Sequence, residues 1–399
     1  MARIPIIFIS CATLLIAISF GIRNTFGLFL GPMTTDLGWT HATFALAVAI
    51  SNLIWGLVQP FFGALADRIG LVRSMILGTV IYVAGLLVMG LYTTEAGLLL
   101  GAGVLTGLGA GGTGIALLMA ATARVVAPEK RGVALGIVGS GAAIGQFVLP
   151  LVVQGSIDGY GWLIAIFILA VLCGAMVPLA FGLRRADRLP QSTAVELSLR
   201  EALREASNHR GFWLLNIGFS ICGFHVIYIA THLPGYLTHL GFEASVGAIA
   251  LAIIGGVNGV FSIVAGYIGD RMSKKILLSI LYLFRSIAIT IFFVTPPSMT
   301  AVIVFAITMG TAWLSVVPLT GALVGQIFGA RHMATLFGIV LFSHQIGAFF
   351  GAWIGGIVFD ATGSYDIAWM IAIGLGIVSA IVHLPIADKP LRVEESAQA

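Results

Sequence analysis

The chain has 399 residues, of which 59% are hydrophobic and 9% charged, with a formal net charge of +4. An average soluble domain carries roughly 25% charged residues, so this composition excludes a water-facing globular surface. Backbone polar groups cannot go unpaired in lipid, which leaves spanning helices or a closed barrel. The apolar runs last roughly 20 to 28 residues, the length of a membrane helix, where barrel strands alternate over about ten. The chain is therefore read as helical.

In chain order, the first six helices are predicted at 4–31, 41–65, 74–92, 96–123, 132–155 and 161–184. A polar segment of both charge signs, 185–210, separates them from a second six at 211–237, 244–268, 276–295, 299–328, 333–360 and 365–387. The basic residues orient this threading, because cytoplasmic loops hold the excess of Lys and Arg. With Met1 cytoplasmic, Arg68, Arg73, Lys130, Arg131, Arg271, Lys274, Lys275 and Arg331 all fall in cytoplasmic turns, and Arg3, Lys389 and Arg392 place both termini there. The outward turns carry no Lys or Arg, but hold Asp36, Glu95, Asp158, Glu243, Asp360 and Asp366. The net positive charge thus reflects topology and requires no nucleic acid partner. The expected location is the inner (plasma) membrane of the cell. The first apolar run is too long for a signal-peptide core and is taken as the first helix. Cys11, Cys173 and Cys222 lie inside predicted helices and read as apolar fillers rather than a disulfide framework.

An internal repeat divides the chain. The turn GALADRIGLVR at 63–73 recurs as GYIGDRMSKK at 266–275, with Asp67 and Arg68 matching Asp270 and Arg271. Gly136, Gly145 and Asp158 match Gly338, Gly347 and Asp360, and Leu37, Gly38 and Trp39 match Leu240, Gly241 and Phe242, all at nearly one offset. The halves are parallel repeats: a bundle at 1–184, a cytoplasmic linker at 185–210, and a bundle with a short tail at 211–399.

With Gly63, Asp67, Arg68, Gly70 and Arg73 in place, the 63–73 turn resembles the signature of the major facilitator superfamily, and the resemblance covers the whole chain. It implies an all-α membrane protein of twelve transmembrane helices in two pseudo-symmetric six-helix bundles, with a midplane site between two rocking halves. It also implies that helices one, four, seven and ten line the pathway. The stretch KRGVALGIVGSGAAIG at 130–145 is similar to the start of helix five in monocarboxylate transporters, through Lys130, Arg131, Ala134, Gly136, Gly141 and Gly145. Helix one departs from those proteins, reading GIRNTFGLFL without their acidic-glycine motif. Asp67, Arg68, Arg73, Asp270 and Arg271 are the expected gating latches; the alternative is topogenic charge in a tight turn.

Arginine at the bilayer centre costs roughly 2.5–3.5 kcal/mol even on lenient scales, and two such residues stand out, Arg23 with neighbouring Asn24 in helix one, and Arg285 in helix nine. Each is a candidate clamp for a substrate carboxylate or a buried structural partner. His225, Tyr228 and His232 share a face of helix seven; His225 and His344 are the candidate proton-handling groups, since histidine titrates near pH 6.5. Asn258, Trp313, His344 and Gln345 complete the expected substrate contacts. Gln146, the helix-two trio Asn52, Trp55 and Gln59, and the helix-ten trio Thr308, Thr311 and Ser315 are further packing or specificity candidates.

All sixteen Asp and Glu fall in turns, tails or helix ends. With two arginines and no acid at mid-membrane, the expected cargo is a small organic anion, with protons as the candidate coupling ion and no cofactor. The expected carrier is a monomer working by uptake; the alternative is an exporter of drugs or metabolites. The glycines at 101–114 lack the strand and the Lys of a phosphate loop. His225 and His232, without a carboxylate, make a poor metal site, and no enzyme chemistry is expected.

Overall fold

The computed structural model describes residues 5–187, 199–329 and 333–389; Met1, Arg3, Arg331, Arg392 and the linker stretch 188–198 lie outside the described residues. The described residues are helical, with no strand among them. Eleven stretches are long and apolar enough to cross a membrane, one of them the 59-residue Glu129–Asp187. Straight, that stretch would measure roughly 90 Å at 1.5 Å per residue, about three hydrocarbon thicknesses. Gly161 turns it with φ 82° and ψ 164°, a conformation a residue with a Cβ resists. Spans five and six therefore both lie in it, and the spans among the described residues number twelve.

The first span is Ile6–Asn24 continued by Gly27–Leu37, the second His41–Ile69, the third Leu71–Leu91. The fourth runs from Glu95–Leu98 through a π-helical turn, Leu99–Leu105, to Thr106–Gly112 and then Ile115–Val125. Pro128–Gly174 holds the fifth and most of the sixth. Arg210–His239, Ala244–Gly269 and Lys274–Val294 are spans seven to nine. The tenth is Met299–Ala312 with Val316–Phe328; Met333–Thr362 and Asp366–His383 finish the bundle.

Two elements differ from expectation. Helix one continues to Leu37, past the apolar run, because Leu30 and Met33 are buried and the extension packs on helix seven rather than facing lipid. The linker contains a short helix, Leu199–Ser207, and before it Asp187, whose carboxylate accepts from the Leu71 N–H at 2.6 Å. That carboxylate sits over Gly70, which takes φ 93°; a positive φ and the close acid both favour glycine there. The Gly70–Leu71 turn is thus capped from the far end of its own half.

Between the halves, helix five packs on helix eight, helix two on helix eleven, and the end of helix one on helix seven. Glycines set these distances, as expected where membrane helices approach closely: a Cβ at Gly27 would collide with Ala230 and Thr231, and one at Gly356 with His41 and Ala42. Both contacts lie at the end of the molecule that carries Asp36 and Asp360, hereafter the acidic end. There Asp360 of helix eleven accepts from the His41 and Ala42 N–H groups at 3.0 and 2.7 Å and stands 3.4 Å from His41 Nδ1. A carboxylate on two free N–H groups at a helix start is a favourable cap, and this one ties the two halves together. At the basic end, helix segments Ile115–Val125 and Val316–Phe328 each pack within their own half.

Removing the cap by Asp360→Ala should cost about 1 kcal/mol of acidic-end closure, roughly a fivefold population shift. Spin labels at Thr93→Cys and Thr295→Cys, exposed on opposite halves of that end, should report a larger long-distance population in Asp360→Ala, with Asp360→Asn intermediate. An unaltered distance distribution would show that Asp360 does not hold the halves.

Candidate functional site

A cavity of about 450 Å³ lies between the halves. Helix five lines it from Leu135 to Gln146, helix eight from Asn258 to Ile263, and helix eleven from Leu341 to Gln345. In each helix these residues lie from the middle toward the basic end, so the cavity occupies the basic-end half of the bundle. The acidic-end contacts close it from the other side.

Arg23 stands on the cavity wall, one residue before helix one tightens. Thr25, Leu28 and Phe29 N–H groups there bond three residues back instead of four, and Asn24 Nδ2 donates to the Phe20 carbonyl at 2.8 Å. The Arg23 guanidinium lies 3.9 Å above the Trp55 ring and 5.2 Å from that of Phe20. Cation–π contact of this kind contributes about 0.5–2 kcal/mol without consuming N–H donors. Arg23 Nε and Nη1 have no hydrogen-bond partner, and no carboxylate pairs with this residue among those described.

His344 and Gln345 also line the cavity, with Gln345 Nε2 3.2 Å from His344 Nδ1. His344 Nε2 and Gln345 Oε1 are left without partners. Asn258 is the hub of the opposite wall: its Oδ1 accepts from the Leu314 N–H at 2.9 Å and from Ser262 at 3.1 Å. Its Nδ2 reaches Gln146 of the other half at 3.5 Å.

The remaining expected contacts lie elsewhere. The helix-seven stripe does share one face, but that face meets helices eleven and twelve. His225 Nε2 is 2.8 Å from the Ala372 carbonyl, His232 Nε2 is 2.6 Å from that of Ala352, and Tyr228 packs edge-on against Trp369. Arg285 is fully buried and serves the interruption in helix ten. Pro318 has no N–H for the Leu314 carbonyl, which bonds Val317 N instead at 3.0 Å. That shift orphans the Trp313 carbonyl, and Arg285 answers it: Nη2 donates to the Trp313 and Ala312 carbonyls, and Nε to Ala312 at 2.9 Å. Trp313 is buried at the break and lines no part of the cavity. Trp55 and Gln146, grouped with the lesser candidates, do line it. Proline four residues after Leu314 was the available sign that helix ten would need an outside donor.

Twelve helices in two bundles around a central cavity closed at one end describe a membrane carrier, not an enzyme. Residues 10–342 and 257–399 match the Major Facilitator Superfamily, and the chain belongs to that superfamily. The uncharacterised MFS-type transporter YcxA of Bacillus subtilis (strain 168) is 26% identical over 396 residues, covering 92% of this chain and 91% of that protein. Monocarboxylate transporter 13 of Rattus norvegicus is 22% identical over 385 residues, covering 92% and 86%. Among solved structures, a D-xylose–proton symporter matches with TM-score 0.74 at 15% identity, over 98% of this chain and 100% of that one. An inward-facing, unoccupied bacterial homologue of the human lysosomal transporter Spinster matches with TM-score 0.72 at 17% identity, over 96% and 94%.

The two intramembrane arginines should separate by stability. Arg285→Met strands two carbonyls and should cost about 2–5 kcal/mol, seen as a clear drop in the thermal transition of the detergent-purified protein. Arg23→Met removes an unpartnered cation and should leave that transition near wild type. If Arg285→Met proved as stable as wild type, its role at the helix-ten break would be refuted.

Proposed function

We propose that this transporter carries a small organic anion of the monocarboxylate type across the cell's plasma (inner) membrane by alternating access, in the direction of uptake and as a monomer. The observation that carries this reading is Arg23, a cation on the wall of the central cavity with two unpartnered donor nitrogens and, among the described lining residues, no acid beside it. A carboxylate is the complement of such a planar donor set. The monocarboxylate transporters among the relatives support the same class.

Under the positive-inside rule the basic end is cytoplasmic, both termini are inside, and the cavity faces the cytoplasm. The bundles 1–184 and 211–399 then rock about the 185–210 linker. Asp67 lies 3.9 Å from Arg124 of its own half, and Arg271 donates to the Tyr267 carbonyl and covers its ring. Latches holding their own half are in the arrangement an open cytoplasmic side requires; with Arg68, Arg73 and Asp270 they would engage across the halves in the opposite state. Where protons are coupled, His344 on the cavity wall or the substrate's own carboxylate carries them.

Hydrogen bonds to a charged partner contribute about 1.5–3 kcal/mol, so Arg23→Gln and Arg23→Ala should lower organic-anion affinity roughly 10- to 150-fold. Counterflow in proteoliposomes of known orientation measures this together with direction. Undiminished uptake by Arg23→Ala would sink the assignment.

A further inference from the structure

We infer that the cavity selects a monocarboxylate with a bulky apolar, aromatic-sized body bearing a hydroxyl-type group, over a three-carbon acid; this rests on the reading of Arg23 as the carboxylate contact. The lining residues include one charged side chain, Arg23, so a single negative charge is matched and a second is not. A cavity of about 450 Å³ lies within the range of pockets that take drug-sized ligands, roughly 300–1,000 Å³, and is several times the bulk of a lactate-sized acid. Its walls are mainly apolar, with Phe20, Trp55, Met119, Phe219 and Leu341 among them. A small hydrophilic acid would leave those walls without contact and gain nothing from them.

Protein already engages part of the polar lining. Asn24 Nδ2 donates to the Phe20 carbonyl, Ser140 Oγ to that of Ile137, Ser262 Oγ to Asn258 Oδ1, and Asn258 Nδ2 to Gln146 Oε1. Among the lining residues, unpartnered buried atoms remain on Arg23, His344 and Gln345. His344 and Gln345 are only 5% and 2% exposed, and buried polar groups rarely stay unpaired. With the Gln345 amide donating to Nδ1, His344 presents an Nε2–H donor and Gln345 an acceptor. With the amide flipped, His344 presents an acceptor and Gln345 two donors. Either way the pair offers at least one donor and one acceptor, the complement of a hydroxyl, which does both.

The test uses the purified full chain and five probes in a calorimetric or thermal-shift titration: lactate, 3-phenylpropanoate, phenyllactate, 3-(4-hydroxyphenyl)propanoate and uncharged 3-phenylpropan-1-ol. Phenylpropanoate should bind at least ~30-fold more tightly than lactate. At least one hydroxylated acid should gain a further factor of about ten, and Gln345→Leu and His344→Phe should weaken that acid about tenfold more than they weaken phenylpropanoate. Lactate binding as well as phenylpropanoate would overturn the inference while leaving the Arg23 reading intact. Equal affinity for both hydroxylated acids and phenylpropanoate would overturn the assignment of His344 and Gln345. Binding of the alcohol but of no acid would overturn the anion reading itself.

Discussion

A helix interrupted inside a bilayer exposes backbone groups that water does not reach, and protein must answer each of them. The interruptions in this chain cluster around the cavity: helix one tightens after Arg23, helix four breaks at Thr113–Gly114, and helix ten breaks over 313–315. Each is met differently. Thr25 and Asn24 side chains bond back to carbonyls of their own helix. Thr113 Oγ1 donates to the Gly109 carbonyl at 3.1 Å and lies 2.8 Å from Ser19 Oγ of helix one. Helix ten, forced open by Pro318, takes Asn258 from helix eight for its free N–H and Arg285 from helix nine for its free carbonyls. Of the residues that answer these breaks, Asn24 and Asn258 also line the cavity.

The two intramembrane arginines differ in what holds their donors. Arg285 spends its donors on carbonyls and on the Cys222 sulfur. Arg23 is held by ring faces, which lower the cost of its charge yet leave N–H groups free. A ligand shifts a conformational equilibrium only by interacting differently with the two states. A guanidinium whose donors are taken by protein has few left to give an anion, whereas Arg23 keeps Nε and Nη1 without partners.

Much of this was legible in the sequence, because the bilayer imposes a length on every span and the loops sort by charge. The twelve runs, the repeat and the broken symmetry between acidic and basic turns followed from those constraints. What was not legible depended on which neighbour a face meets. Periodicity placed His225, Tyr228 and His232 on one face, but nothing local says that helices eleven and twelve, rather than the cavity, lie against it. Arg23 and Arg285 look alike as lone arginines in apolar runs; only the packing of helix nine beside the helix-ten break separates them. Helix one ran on to Leu37 for the same reason, since its polar-looking end is paid for by contact with helix seven.

The repeat symmetry is not carried through to the acidic end. Asp158 at the end of helix five corresponds to Asp360 at the end of helix eleven, yet Asp158 takes Gln154 of its own helix at 2.8 Å. Asp360 reaches across to helix two. The helix-five–helix-eight contact is instead set deeper, where a Cβ at Gly255 would meet Gln146 and one at Gly259 would meet Ala143. One cross-half seam is therefore polar and directional at its acidic end, and the other combines close packing of small residues with the long Asn258–Gln146 contact. Opening that end requires withdrawing the Asp360 carboxylate from the His41 and Ala42 N–H groups, a discrete step. A two-state carrier needs discrete elements to keep intermediate openings sparsely populated, and the carboxylate cap at the junction of helices two and eleven has that character.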